Sequence, residues 1–211
     1  MSANPVNLQN ISFYGILDTG YVSREDWVSK CQALIKGGAG IIQLRAKSES
    51  HQERKALLEE ILPLFEGLDI PLIINDDVEL AAAYPHLGLH LGQDDLTPRE
   101  AREQLGPERI IGLSTHSLLQ AQAAVCQKDL INYFAVGPIF ATGTKPDYTP
   151  VGVELIAQVR SLEPPLPFFC IGGINRDRLS RVRAAGARGV VAVSDVLEDT
   201  DTCSAVRQFR L

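Results

Sequence analysis

Between Pro71 and Asp95 the chain reads PLIINDDVELAAAYPHLGLHLGQDD. Two apolar runs, PLIIN from Pro71 and LGLHL from Leu87, flank a segment that suits a helix starting near Val78. Short apolar runs bounded by Gly, Pro and Asn read as buried strands, and a helical crossover between two of them makes the pair parallel. Each run ends in polar residues: Asn75, Asp76 and Asp77 after the first, Gln93, Asp94 and Asp95 after the second.

The alternation extends in both directions. Further strands are predicted as FYGIL from Phe13, GIIQLR from Gly40, IIGLS from Ile110, YFAVG from Tyr133, PFFCIG from Pro167 and GVVAV from Gly189. Amphipathic stretches lie between them, among them SREDWVSKCQALIKGG with a cap at Ser23 and SLLQAQAAVCQ with a cap at Ser117. About eight such units in 211 residues predict a single-domain α/β protein, a (β/α)8 TIM barrel, whereas a doubly wound open sheet would use fewer strands or a longer chain. No linker or shift of composition divides residues 1–211, and residues 1–12 are expected to form an N-terminal extension.

A hydrophobic content of 45% describes a globular domain able to bury a large core. The net charge of -6 argues against nucleic acid or an anionic membrane as the partner, while leaving room for a local basic pocket. Cys31, Cys126, Cys170 and Cys203 are widely separated with no CxxC pair, so buried thiols in a reducing cytoplasm are expected rather than disulfides or zinc. MSANPVNLQN lacks a basic start and an apolar core, and no apolar run approaches the roughly 20 residues that span a bilayer. Neither export nor membrane insertion is expected.

Barrel enzymes place their chemistry where the strands end. Here the second strand leads into Gln43, Arg45 and Lys47, the fifth into Ser114, the seventh into Gly172 and Gly173, and the eighth into Val193 and Ser194. The sixth opens into GPIFATGTK, residues 137–145, with Thr142, Gly143, Thr144 and Lys145. Arg45, Lys47 and Lys145 suit a polyanion, and carboxylates from two adjacent strands suit a Mg2+ that bridges its oxygens. A diphosphate meets both conditions. Small residues after the last two strands suit a phosphate monoester held by backbone N–H groups. Taken singly, NDD also reads as a helix cap, His90 as an interior histidine satisfied by the barrel, and His86 and His116 as loop or surface residues.

The ordered set QLRAK, INDD, HLGQDDL, IGLSTHS, GPIFATGTK, PVGVEL, IGGI and AVS resembles the thiamine phosphate synthase family from about Phe13 to Val196. That resemblance implies a transferase joining a hydroxymethylpyrimidine diphosphate to a thiazole phosphate, with Mg2+ as cofactor and diphosphate as leaving group. It implies that Gln43, Arg45, Lys47, Asn75, Ser114 and Lys145 bind the pyrimidine diphosphate, with Arg45, Lys47, Lys145 and Ser114 serving catalysis. Asp76 and Asp95 would hold the metal, leaving Asp77 and Asp94 as outer residues. Thr142 and Thr144 would contact the thiazole phosphate, with main-chain contacts from Gly173, Val193 and Ser194. A homodimer is implied as well. The related thiazole tautomerase carries a His where this chain has Pro138, and a non-catalytic binder of phosphorylated metabolites has no need of a metal set against cations. Pro146 and the approach YPHLGLHLG to the fourth strand depart from the family's usual pattern, as does LDTGY, which keeps Asp18.

Overall fold

The computed structural model describes residues 6–143 and 149–210. Eight parallel strands, β1 (Phe13–Asp18), β2 (Ile41–Arg45), β3 (Leu72–Asn75), β4 (Gly88–Leu91), β5 (Ile111–Thr115), β6 (Tyr133–Val136), β7 (Phe168–Cys170) and β8 (Gly189–Val191), follow one another around a closed barrel. β8 pairs back onto β1 through Phe13 and Tyr14. The strands predicted from Gly40, Pro71, Leu87, Ile110 and Pro167 each begin one residue later. Both prolines still join the sheet as acceptors, from Ile42 N–H at 3.0 Å and Phe134 N–H at 3.3 Å.

The helices are α1 (Trp27–Gly37), α2 (His51–Ile61), α3 (Val78–Ala82), α4 (Pro98–Leu105), α5 (Leu118–Cys126), α6 (Glu154–Ser161), α7 (Leu179–Ala184), α8 (Ser194–Leu197) and α9 (Thr202–Phe209). Ser117 caps α5 as expected, its hydroxyl accepting from Gln120 N–H at 3.2 Å. Ser23 does not cap α1. A 3-10 turn, Arg24–Asp26, intervenes, and the Ser23 hydroxyl donates to the Asp26 carboxylate at 2.9 Å instead of receiving a backbone N–H. Full capping boxes appear at Ser50 with Glu53 and at Thr97 with Glu100, each satisfying backbone donors at both positions of the motif.

Two cores hold the molecule together. Between strands and helices lies the larger one, which includes Trp27, Leu34, Leu57, Ile61, Phe134, Val159 and Phe209. Inside the barrel, Tyr14, Ile16, Ile41, Ile73, Tyr133, Phe169 and Val191 fill the lumen, and Leu8 joins them from the 3-10 turn Leu8–Asn10. The segment ahead of β1 thus closes the end of the barrel where the strands begin, and Gln9 Nε2 fixes it by donating to Pro165 O at 2.9 Å. All four cysteines are free, but only Cys31 and Cys170 are buried; Cys126 faces solvent and Cys203 is half-buried. Burial pushes the Cys31 thiol up to about 12, so it is inert at neutral pH. Among the described residues, no helix is long and apolar enough to cross a membrane.

Candidate active site

A cavity of about 410 Å³ opens where the strands end. Gln43, Arg45, Lys47, Asn75, Asp76, Asp95, Ser114, Thr142, Gly173, Val193 and Ser194 all line it, so the described residues named from the sequence come together in one place. Thr144 and Lys145 lie outside the described residues.

The cationic side is built on β2. Arg45, the last residue of the strand, donates from Nη1 to Asp18 Oδ2 at 2.7 Å, and Gly20 N–H holds the other Asp18 oxygen at 3.0 Å. Asp18 ends the neighbouring β1 and is almost wholly buried, so the pair fixes the guanidinium at the cavity wall. Lys47 is more exposed and forms an ion pair with Asp76.

Facing it are the carboxylates that follow β3 and β4. Asp76 has φ 61°, a left-handed conformation that a non-glycine residue seldom adopts. This turn separates two adjacent side chains. Asp76 is directed at Lys47 and accepts from Asn75 Nδ2 at 2.6 Å. Asp77 is directed away, where it caps α3 through Leu80 N–H at 2.9 Å and receives Arg54 Nε at 2.9 Å. Despite its partial desolvation, the Leu80 N–H, His51 and Arg54 hold the Asp77 carboxyl below its ordinary range. NDD therefore divides: Asp77 is the helix cap the sequence suggested, while Asp76 lines the cavity. Asp95 accepts from Gly92 N–H at 2.6 Å, and desolvation together with the adjacent Asp76 raises its pKa. Asp94 also lines the cavity, exposed and without the contact to Asp76 that marks Asp95.

Paired carboxylate oxygens of this kind suit a hard divalent cation, which commonly takes one or two carboxylates and completes its shell with water and phosphate. No group of three or more His, Cys, Asp or Glu side chains suited to a metal occurs among the described residues. The set fits a magnesium ion shared with a phosphorylated ligand better than an all-protein cage.

Across the mouth, Gly172 and Gly173 follow β7 with φ of 100° and 58°. Added Cβ atoms there would meet Pro138 Cα and Ala141 O, each at 2.4 Å, so the loops after β6 and β7 touch through bare backbone. Val193 and Ser194 open α8 beside them. On the cavity floor, Ser114 Oγ pairs with His90 Nε2 at 2.9 Å and Gln43 Nε2 donates to Tyr14 OH at 2.7 Å. His90 is thus the satisfied interior histidine expected. His116 stands in the loop after β5, as expected, but faces inward: it lines the cavity and its Nδ1 donates to Gly137 O. Asp18 and Gln93, which donates to Ser114 O at 2.6 Å, were left out of the site although both sit at strand ends, the signal that locates the others.

The fold and this mouth define a (β/α)8 barrel with cations, carboxylates and bare backbone gathered around one cavity at the strand ends. The family model described as thiamine monophosphate synthase matches residues 13–196. A thiamine-phosphate synthase of Herpetosiphon aurantiacus is 40% identical over 198 residues, covering 93% of each chain. The thiamine biosynthesis bifunctional protein ThiED of Geobacter sulfurreducens is 40% identical over 190 residues; the match covers 89% of this chain but 38% of that longer relative. Among solved structures, the thiamine phosphate pyrophosphorylase of Pyrococcus furiosus superposes with a TM-score of 0.84 at 28% identity, covering 96% of both chains. The chain belongs to the thiamine monophosphate synthase family.

Proposed function

We propose that this chain is a thiamine-phosphate synthase, a transferase that joins the methylene carbon of a hydroxymethylpyrimidine diphosphate to the nitrogen of a thiazole phosphate and releases diphosphate. The observation that carries the reading is the meeting of Arg45 and Lys47 with the Asp76–Asp95 pair on one side of a single cavity, opposite the glycine loops.

In this reading Arg45, fixed by Asp18, and Lys47 bind the diphosphate, joined by Lys145, and stabilise the charge that grows on it as the carbon–oxygen bond breaks. Gln43, Asn75 and Ser114 orient the pyrimidine. Thr142 and Thr144, with the backbone of Gly173, Val193 and Ser194, hold the thiazole phosphate so that its nitrogen faces the departing bond. Asp76 and Asp95 would hold Mg2+, which when bound neutralises phosphate oxygens. No side chain is required to remove a proton from a nucleophile, because the ring nitrogen attacks with its own lone pair. A cytoplasmic homodimer completes the proposal; phosphorylated substrates and free thiols support the compartment, and family resemblance supports the dimer.

The test is direct: the purified chain is incubated with both substrates, with Mg2+ or with a chelator, and thiamine phosphate and diphosphate are measured. Formation of both products in equal amounts, lost on chelation, is expected. Binding of both substrates without product would overturn the reading.

A further inference from the structure

The lumen contains a run of polar side chains, three of which, Tyr14, Tyr133 and His90, the reaction outlined above does not use. Gln43 Nε2 donates to Tyr14 OH at 2.7 Å, Tyr14 OH lies 2.8 Å from Tyr133 OH, Tyr133 OH lies 3.0 Å from His90 Nδ1, and His90 Nε2 lies 2.9 Å from Ser114 Oγ. The run joins β2 to β5 through β1, β6 and β4, and connects two groups assigned above to the pyrimidine. Gln43, Tyr14, His90 and Ser114 line the cavity, whereas Tyr133 is absent from its wall and is fully buried. Space for the Tyr133 ring depends on Gly112, where an added Cβ would lie 2.1 Å from the ring.

Hydrogen-bond bookkeeping gives the run a direction. Tyr14 accepts the Gln43 amide, so its own proton goes to Tyr133, the neighbouring oxygen. Tyr133 then passes its proton to His90 Nδ1, since a buried hydroxyl left without an acceptor is costly. Burial keeps both phenols protonated. With Nδ1 accepting, His90 carries its hydrogen on Nε2 and donates to Ser114, which leaves the serine proton for a ligand.

We propose that Tyr14, Tyr133 and His90 form a one-way hydrogen-bond relay that holds the Gln43 amide oxygen and the Ser114 hydroxyl proton toward the cavity, so that the site selects an aminopyrimidine and rejects its oxo counterpart. An exocyclic amino group donates and finds the Gln43 oxygen. An oxo group accepts, and suiting it would flip the amide, turn its oxygen onto Tyr14 and reverse every bond in the relay. The selectivity claim rests on the pyrimidine assignment in the proposed function; the direction of the relay does not. Tyr133 and His90 are positioning residues here.

Two measurements on the full chain test this. In the resting protein, nitrogen-15 NMR of histidine, with His90 assigned by elimination after the other three signals are lost in His51→Gln, His86→Gln and His116→Gln, is expected to show hydrogen on His90 Nε2 and none on Nδ1. Hydrogen on Nδ1 would overturn the relay, and this result needs no variant in the relay's middle to fold. Calorimetry is then run with 4-amino-5-hydroxymethyl-2-methylpyrimidine and with the 4-oxo compound. The amino ring is expected to bind at least about tenfold more tightly, and Tyr133→Phe, which changes no cavity-wall atom, to shrink that ratio while leaving thiazole phosphate affinity unchanged. An undiminished ratio in Tyr133→Phe, or equal binding of both rings to the unaltered chain, would overturn the selectivity claim. Failure of both rings to bind would count against the pyrimidine assignment, and the spectrum would still decide the relay.

Discussion

Arg45 and Lys47 are two residues apart and share a proposed ligand, yet their surroundings make them unequal. Arg45 neutralises a buried carboxylate, so Arg45→Ala strands Asp18 without its counter-ion and is expected to cost about 3 kcal/mol of stability together with most turnover. Lys47→Ala removes an exposed pair, so turnover should fall with a stability change of about 0–1 kcal/mol. Thermal melts beside steady-state kinetics separate the two; equal melting losses would contradict the difference in burial. A second contrast lies in the carboxylates. Asp95→Asn should lower turnover by roughly a hundredfold with little effect on folding, whereas Asp77→Ala should cost about 1 kcal/mol of stability by uncapping α3 and leave turnover near normal. Their residue types were legible in the sequence, and the family resemblance implied their division of labour; its physical basis, the left-handed backbone at Asp76, was not legible, because no pattern of side chains reports a φ angle.

At the level of single elements, caps and breakers were the readable features, and misreadings came where local chemistry had two outlets. Ser117 met only a helix start and capped it. Ser23 had Asp26 within reach, and the hydroxyl took the carboxylate. The capping box at Thr97 and Glu100 is unambiguous, and Thr97→Ala is expected to lower stability by about 1 kcal/mol, measured by chemical denaturation, with kinetics unchanged. β5 supplies a sharper test. Gly112 pairs in register with Tyr133 and its missing side chain makes room for that ring. Gly112→Ala should therefore destabilise by roughly 1–3 kcal/mol through overpacking, although alanine otherwise favours a strand over glycine. His116 was read only as a loop or surface residue for a related reason: it stands just past the end of β5, so its place in the cavity wall depends on where the following loop turns.

For the whole molecule, the count of strand–helix units was enough to give the closed barrel, since eight units in so short a chain leave little length for any other arrangement. What the count does not convey is that Leu8, ahead of the first strand, belongs to the lumen. Leu8→Ala is expected to cost about 2–3 kcal/mol, read from denaturation midpoints, while Michaelis constants stay unchanged because the side chain is at the opposite end from the cavity.

The two ends of the described chain also meet at that far side. Phe209 packs its ring 5.7 Å from Phe13, at the start of β1, while Leu8 plugs the lumen and Gln9 ties its segment to Pro165. A passenger domain, affinity handle or solid support carried at residue 6 or residue 210 would therefore hang beneath the barrel, leaving substrates an open approach from above. The same placement gives a natural polarity for immobilising the catalyst: anchored through residue 210, every molecule would present its reactive face outward to the flowing solution.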